Sequence, residues 1–215
     1  SDVYKRQDLS LKLPIRDINK LWLKWNFYWN REYRNWISGE FKELKKLSAI
    51  TLSWALEDFG IKPPKVTVLE GMIKDYLVSN SKLYPETITA LQRLFHIGLK
   101  LFIVSNADSD VFWPLFNNTP QLKAFFREDS IFVSGDRRVY KPDAAILSED
   151  VLRLNGFICG DSNEDIELGL KIGFKTVLID RGEFNRNLIF KPNFKVKSLI
   201  DMAKLVEGSI KCLDG

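Results

Sequence analysis

The stretch from Phe157 to Lys171 constrains this chain more than any other part of it. A short apolar run, Phe157-Ile158-Cys159, ends in Gly160-Asp161, and apolar residues at Ile166, Leu168, Leu170 and Ile172 follow among helix formers. That order reads as strand, tight turn and helix, with Asp161 at the carboxyl end of the strand and Asp165 in the first helical turn. In an open α/β sheet ligands bind outside that edge, so the two carboxylates converge on one crevice. Like charges this close repel unless a cation sits between them, and an oxygen-rich, water-keeping pair suits Mg²⁺. The local alternative is that Asp161 closes the turn and Asp165 complements the helix dipole, a contribution of about 0.3–1 kcal/mol.

The rest of the chain divides in two. From Leu11 to about Asn80 the pattern is helical, without strand-like alternation: Leu21, Trp22, Trp25, Tyr28, Trp29, Tyr33 and Trp36 form an aromatic stripe at spacings of three and four. Gly39 interrupts it, a second helix runs from about Glu40 to Phe59, and a third from about Val66 to Leu77. Four of the six tryptophans fall between Trp22 and Trp36. Filling the core of a small helical subdomain accounts for them, whereas Lys24, Arg31 and Arg34 are too few for a base-stacking platform. After Tyr84-Pro85-Glu86 strands and helices alternate: a helix from Thr87 to His96, a strand from Leu99 to Val104 stopping at Ser105, a helix from Val111 to Phe116, and a helix near Leu122 to Phe126. A strand from Ile131 to Ser134 follows, then Tyr140-Lys141-Pro142-Asp143, the Gly160-Asp161 unit, a strand from Lys175 to Ile179, and a last strand and helix ending near Val206. Alternation of this kind implies a parallel sheet, so the fold class is α/β with a Rossmann-like core. The domains expected are residues 8–82, a helical subdomain, and 83–215, the core.

Composition excludes several classes. At 215 residues the chain can bury a full core, and a net charge of +4 spread through mixed-sign segments gives no nucleic-acid footprint. No apolar run reaches the ~18 residues needed to span a bilayer. Cys159 and Cys212 are too far apart for a metal or redox pair, so reduced thiols and a cytoplasmic protein are expected. The single histidine, His96, sits at a helix end before Gly98, where capping or a surface role accounts for it.

Three candidate groups now stand at strand ends in a fixed order: Ser105 after Leu101-Phe102-Ile103-Val104, Lys141 in Tyr-Lys-Pro-Asp, and Asp161 with Asp165. In this the chain resembles the haloacid dehalogenase superfamily, whose second, third and fourth motifs are a strand-end Ser or Thr, a Lys, and Gly-Asp followed by a further Asp. Ile-Val-Ser-Asn and Val-Tyr-Lys-Pro-Asp are phrases of that family, and the helical stretch is similar to its inserted cap. The resemblance implies that Ser105 holds a phosphoryl oxygen, helped by the backbone N–H groups of Asn106 and Ala107, and that Lys141 neutralises charge on the phosphoryl group and the nucleophile. Asp161 would ligate Mg²⁺, with Asp165 ordering it directly or through water. Phosphoryl transfer calls for such equipment because positioning and electrostatics supply most of its catalysis. Taken singly, the same residues read as a capping serine, a solvated lysine before a turn proline, and an acidic pair at a helix start.

The sequence departs from the family at its first motif, an Asp-x-Asp after the first strand that carries the nucleophile. Asp17 follows no buried strand, and Asp108-Ser109-Asp110 comes after Ser105 has already taken the strand end. The resemblance therefore implies that the first, central strand and the nucleophile are missing from this sequence, and that the chain alone is inactive. Residues 1–7, Ser-Asp-Val-Tyr-Lys-Arg-Gln, resemble the translated end of a transposon and are expected to be a non-native leader. The spacing of 20 from Lys141 to Asp161 is short for the family. Within the superfamily the expected activity is a Mg²⁺-dependent phosphatase of a small organic phosphate monoester. The alternatives are a 2-haloacid dehalogenase, which places Ser and Asn where Gly160-Asp161-Ser162 stands and a tyrosine where Leu147 stands, and a non-catalytic binding or regulatory protein of the same fold.

Overall fold

Helical periodicity in the first third of the chain becomes three helices in the computed structural model, which describes residues 18–182 and 188–211. They are α1 (Ile18–Ser38), α2 (Leu44–Asp58) and α3 (Val66–Asn80). The leader expected at 1–7, Asp8, Asp17 and Cys212 lie outside the described residues. The chain divides into two units, one holding the described residues up to Ser81 together with Ala107–Leu115, the other Lys82–Asn106 and the residues from Phe116 onward. A single cut after residue 82 therefore misses Ala107–Leu115, which belongs with the helices.

The reason lies in Asp108. Helix α2 has no side-chain cap from its own N-cap residue, Glu43. Its first amides are satisfied from a distance: Leu44 N and Lys45 N donate to Asp108 Oδ1 and Oδ2, each at 2.7 Å. Asp108 is buried, and burial pushes its carboxyl up from the ordinary value against the pull of those two amides. Asp110 beside it pairs with Lys45 at 2.7 Å and Lys74 at 3.3 Å. The core of the helical unit is Leu21, Ala49, Leu52, Ala55, Leu56 and Leu69, with Trp25 and Tyr28 packed against it. The aromatic stripe thus lines this core and does not fill it; of α1 only Leu21 is fully buried. Trp25 is anchored by its indole N–H, 3.1 Å from both Ser48 O and Thr51 Oγ1.

Among its described residues the second unit carries five short parallel strands. Among the described residues they form two sheets: β1 (Ile103–Ser105) pairs with β2 (Ile131–Val133), and β3 (Phe157–Gly160), β4 (Lys175–Ile179) and β5 (Phe194–Val196) pair in that order. Helix α4 (Thr87–His96) and the last helix, α9 (Leu199–Lys211), bury Ala90, Leu94, Met202, Ala203 and Val206 on one side with Val177, against which Leu101, Phe157 and Cys159 pack. On the other side Phe132, Ile146, Leu147, Val151 and Leu168 form a second cluster with Phe102, Val104 and Ile158. Period-2 alternation sends 101 and 157 to one side and 102 and 158 to the other, as a strand covered on both faces requires. Between β1 and β2 runs helix α5 (Ser109–Asn117). Helices α6 (Ser134–Arg137) and α7 (Glu149–Leu152) precede β3, and α8 (Asn163–Lys171) follows it.

The mixed α/β class holds, with smaller differences in the elements. The stretch expected as a helix near Leu122 is a 3₁₀ turn at Pro120–Ala124, Ser134 starts α6 where a strand end was expected, and β1 shortens to three residues. No helix among the described residues is long and apolar enough to cross a membrane.

Candidate active site

Local chemistry at the head of β3 fixes the first part of the site. Ser162 is the N-cap of α8: its hydroxyl oxygen accepts from Asp165 N at 3.2 Å, and the Asp165 carboxylate reaches back to the Ser162 backbone N–H at 3.1 Å, a reciprocal capping box. Asp165 Oδ2 also accepts from Asp161 N at 3.2 Å and from the Ser162 hydroxyl at 2.7 Å. This close wrapping of the loop onto the carboxylate is why residue 160 is glycine, since a Cβ there would overlap the Asp165 side chain.

Lys141 completes it. Its ammonium donates to Asp165 Oδ1 at 2.6 Å and to Val104 O at 2.8 Å, and the lysine is 8% exposed. Its backbone is clamped in turn by Asn106, whose Oδ1 accepts from Lys141 N at 2.8 Å while its Nδ2 donates to Lys141 O at 3.2 Å. The end of β1, the Lys141 loop and the head of β3 are thereby tied into one cluster. Burial pushes the Asp165 carboxyl up, but the Lys141 charge and the Lys141 and Ser162 hydrogen bonds outweigh it and hold the group below its ordinary value. The neighbouring thiol of Cys159 is pushed up to about 12 by burial and by the Asp165 charge, which removes it as a nucleophile.

Of the residues singled out in the sequence, Lys141 and Asp165 are in direct contact, and Ser105 ends β1 one residue past the carbonyl that Lys141 holds. Asp161 is exposed at the carboxyl edge of β3, joined to Asp165 through its own amide. Asn106 stays with this unit, whereas Ala107 falls in the helical unit. Leu147, the position compared with a dehalogenase tyrosine, is buried in the core beside Phe132 and Val151. The side-chain clamp of Asn106 has no local signal, because its partner lies 35 residues on. The Ser162-Asp165 spacing, by contrast, is a legible capping box.

The donor chemistry bears on Mg²⁺. Among the described residues no group of three or more His, Cys, Asp or Glu side chains gathers around one point. Mg²⁺ takes one or two carboxylates and keeps several waters until phosphate oxygens join it, and Asp161 fits that pattern. The Asp165 oxygens, engaged by Lys141 and three further donors of the loop, fit an ordering role instead.

Comparison with known proteins bears on the fold and on the sequence family. The chain is similar in fold to the L-2-haloacid dehalogenase from Xanthobacter autotrophicus with chloropropionic acid covalently bound, with a TM-score of 0.73, 20% identity, and coverage of 94% of this chain and 91% of that one. It is equally similar to the putative HAD-hydrolase YfnB from Bacillus subtilis bound to magnesium, with a TM-score of 0.76, 18% identity, and coverage of 96% and 93%. The defluorinating L-2-haloacid dehalogenase Rha0230 has a TM-score of 0.69 at 18% identity, covering 94% of this chain and 86% of that one. At such identities the likeness is one of fold. No curated protein sequence matches the chain. The sequence family described as haloacid dehalogenase-like hydrolase matches residues 15–179, and with that match over most of its length the chain belongs to the haloacid dehalogenase-like hydrolases.

Proposed function

We propose that this hydrolase site serves a Mg²⁺-dependent phosphatase acting on a small organic phosphate monoester. The observation that carries the reading is the acidic Gly160-Asp161-Ser162 turn, held rigid by Asp165, with the buried Lys141 ammonium beside it. In this reading Ser105 and the Asn106 amide hold phosphoryl oxygens, and Lys141 offsets the charge that spreads over them. Asp165 acts as an organiser: it fixes Lys141 and presents the turn, and Asp161 is the metal ligand. Bound there, Mg²⁺ would neutralise phosphate charge and orient the leaving group. Asp108 and Asp110, the Asp-Ser-Asp pair after β1, are committed to α2 and to two lysines, so the direct test of the site is binding.

Hydrolytic dehalogenation of a small 2-halo acid is the second reading. It is favoured by the similar structures, several of which are dehalogenases that match more than nine-tenths of this chain in fold. The turn and position 147 favour phosphate. A carboxylate at 161 would face the substrate's own carboxylate without a cation between, and Leu147 offers no phenol.

Calorimetric titration separates the two. Phosphate reading: orthovanadate binds the chain, magnesium tightens binding at least about tenfold, and Asp161→Asn abolishes that gain while Ser105→Ala weakens vanadate itself. Binding of 2-chloropropionate without metal, unchanged by Asp161→Asn and accompanied by no vanadate binding, would transfer the assignment to dehalogenation. Binding of neither ligand would favour the non-catalytic reading.

A further inference from the structure

We propose that Glu164 selects the substrate: its carboxylate receives an ammonium carried on the organic part of the phosphate monoester, so the preferred substrates are phosphate esters of short amino alcohols. The inference rests on the phosphatase reading and adds a specificity residue to it. Glu164 is the second residue of α8 and is 8% exposed. Among the described residues no hydrogen bond or ion pair reaches its carboxylate. A glutamate this deeply buried ordinarily has a partner, because a carboxylate taken out of water loses hydration that only a donor or a cation restores. Its neighbours on the same helix have theirs: Asp165 holds Lys141 and the Ser162 amide, and Glu167 pairs with Lys171 at 2.9 Å. The helix dipole favours an acid at this position, but a solvated acid serves the dipole as well as a buried one, so the dipole leaves the burial unexplained.

Helix geometry says where that carboxylate is aimed. Glu164 lies one turn before Leu168, which is buried in the cluster of Ile146 and Leu147 with Val104 packed against it. Asp165, three residues before Leu168, touches Lys141. Both acids therefore stand on the flank of α8 that carries Leu168 and meets the Lys141 loop. Side chains of a helix lean toward its N-terminus, and the N-terminus of α8 is the carboxyl edge of β3. The Glu164 carboxylate is thus directed to the edge where Ser105, Lys141 and Asp161 stand. Charge decides what it receives there. The carboxylates of Asp161, Glu164 and Asp165 meet the ammonium of Lys141, which is spent on Asp165 and on Val104 O. In the phosphatase reading Mg²⁺ offsets Asp161 and the phosphoryl group, which leaves Glu164 without a counter-charge among the described residues. A further anionic group on the substrate would be repelled, whereas an ammonium replaces the lost hydration with a charge-assisted hydrogen bond. Glu164 is next to Asp165 in the chain, and consecutive Cα atoms are about 3.8 Å apart, so the link between phosphate and ammonium is short.

The test is calorimetric titration of the full chain in the presence of magnesium with 2-aminoethyl phosphate, its N-acetyl derivative and n-propyl phosphate. The wild type is expected to bind the aminoethyl ester at least about tenfold more tightly than the acetylated and propyl esters, which lack the charge. In Glu164→Gln, which keeps the shape of the side chain and removes its charge, the aminoethyl ester is expected to fall to the level of propyl phosphate measured on the same variant. Glu164→Asp keeps the charge and is expected to keep a preference, which a purely structural role for the residue would not produce. Equal affinity of the wild type for the charged and uncharged esters would overturn the proposal and leave the phosphatase reading standing. A preference that survives Glu164→Gln would do the same. A wild type that binds none of the esters and no orthovanadate would overturn the phosphatase reading, and this proposal with it.

Discussion

Lys141 and Asp165 depend on each other more than any other pair here, since each is nearly out of water and each is the other's charge partner. Lys141→Met leaves a buried carboxylate without its counter-charge and is expected to cost about 3–5 kcal/mol in urea unfolding. Adding Asp165→Asn to it should cost less than the two single changes together, a coupling of about 0.5–3 kcal/mol; strict additivity would mean that the pair is not coupled in solution. The Asp165 carboxyl is held below its ordinary 3.8. A depressed value in the folded state gives stability that is complete above the unfolded value and lost as pH falls through the folded one. The gap in unfolding free energy between the wild type and Asp165→Asn should therefore narrow on acidification below ~pH 5; a gap that widened there would contradict the arrangement. Asn106 holds the backbone of Lys141 through two hydrogen bonds, so Asn106→Ala is expected to weaken vanadate binding and to cost about 1–3 kcal/mol in stability.

At the scale of elements, the turn between β3 and α8 is built from two devices, a glycine that a side chain would crowd and a Ser-Asp capping box. Gly160→Ala forces the Asp165 carboxylate aside and is expected to destabilise by about 1–3 kcal/mol, with loss of the Lys141 contact seen in a crystal structure of the variant. An unchanged stability would mean that the turn has room to spare. The strand, turn and helix were legible because apolar period, Gly-Asp and capping spacing all point the same way over fifteen residues. The same agreement made α4, β4 and the parallel order readable. Other features were not legible for a physical reason: the cap of α2 is Asp108, sixty-four positions from Leu44, and the clamp on Lys141 is Asn106, so neither leaves a mark in its own neighbourhood. Pro120 and the short run after it gave an apolar pattern with too few residues to close an α-helix, and it settles as a 3₁₀ turn.

For the whole molecule, two units are strung on one chain, and the chemistry described here lies in the strand-bearing one. Its site depends on three segments, the ends of β1 and β3 and the loop of Lys141, that meet only when the parallel strands are in register. The central claim is that one buried ammonium gathers them into an anion site. The most direct measurement is the NMR signal of the Lys141 side-chain ¹⁵Nζ, assigned by its disappearance in Lys141→Arg. A slowly exchanging ammonium with a scalar coupling to the Asp165 carboxylate, shifting when magnesium and vanadate are added together, is the predicted result. An ammonium exchanging as freely as those of surface lysines, and indifferent to both additions, would contradict it.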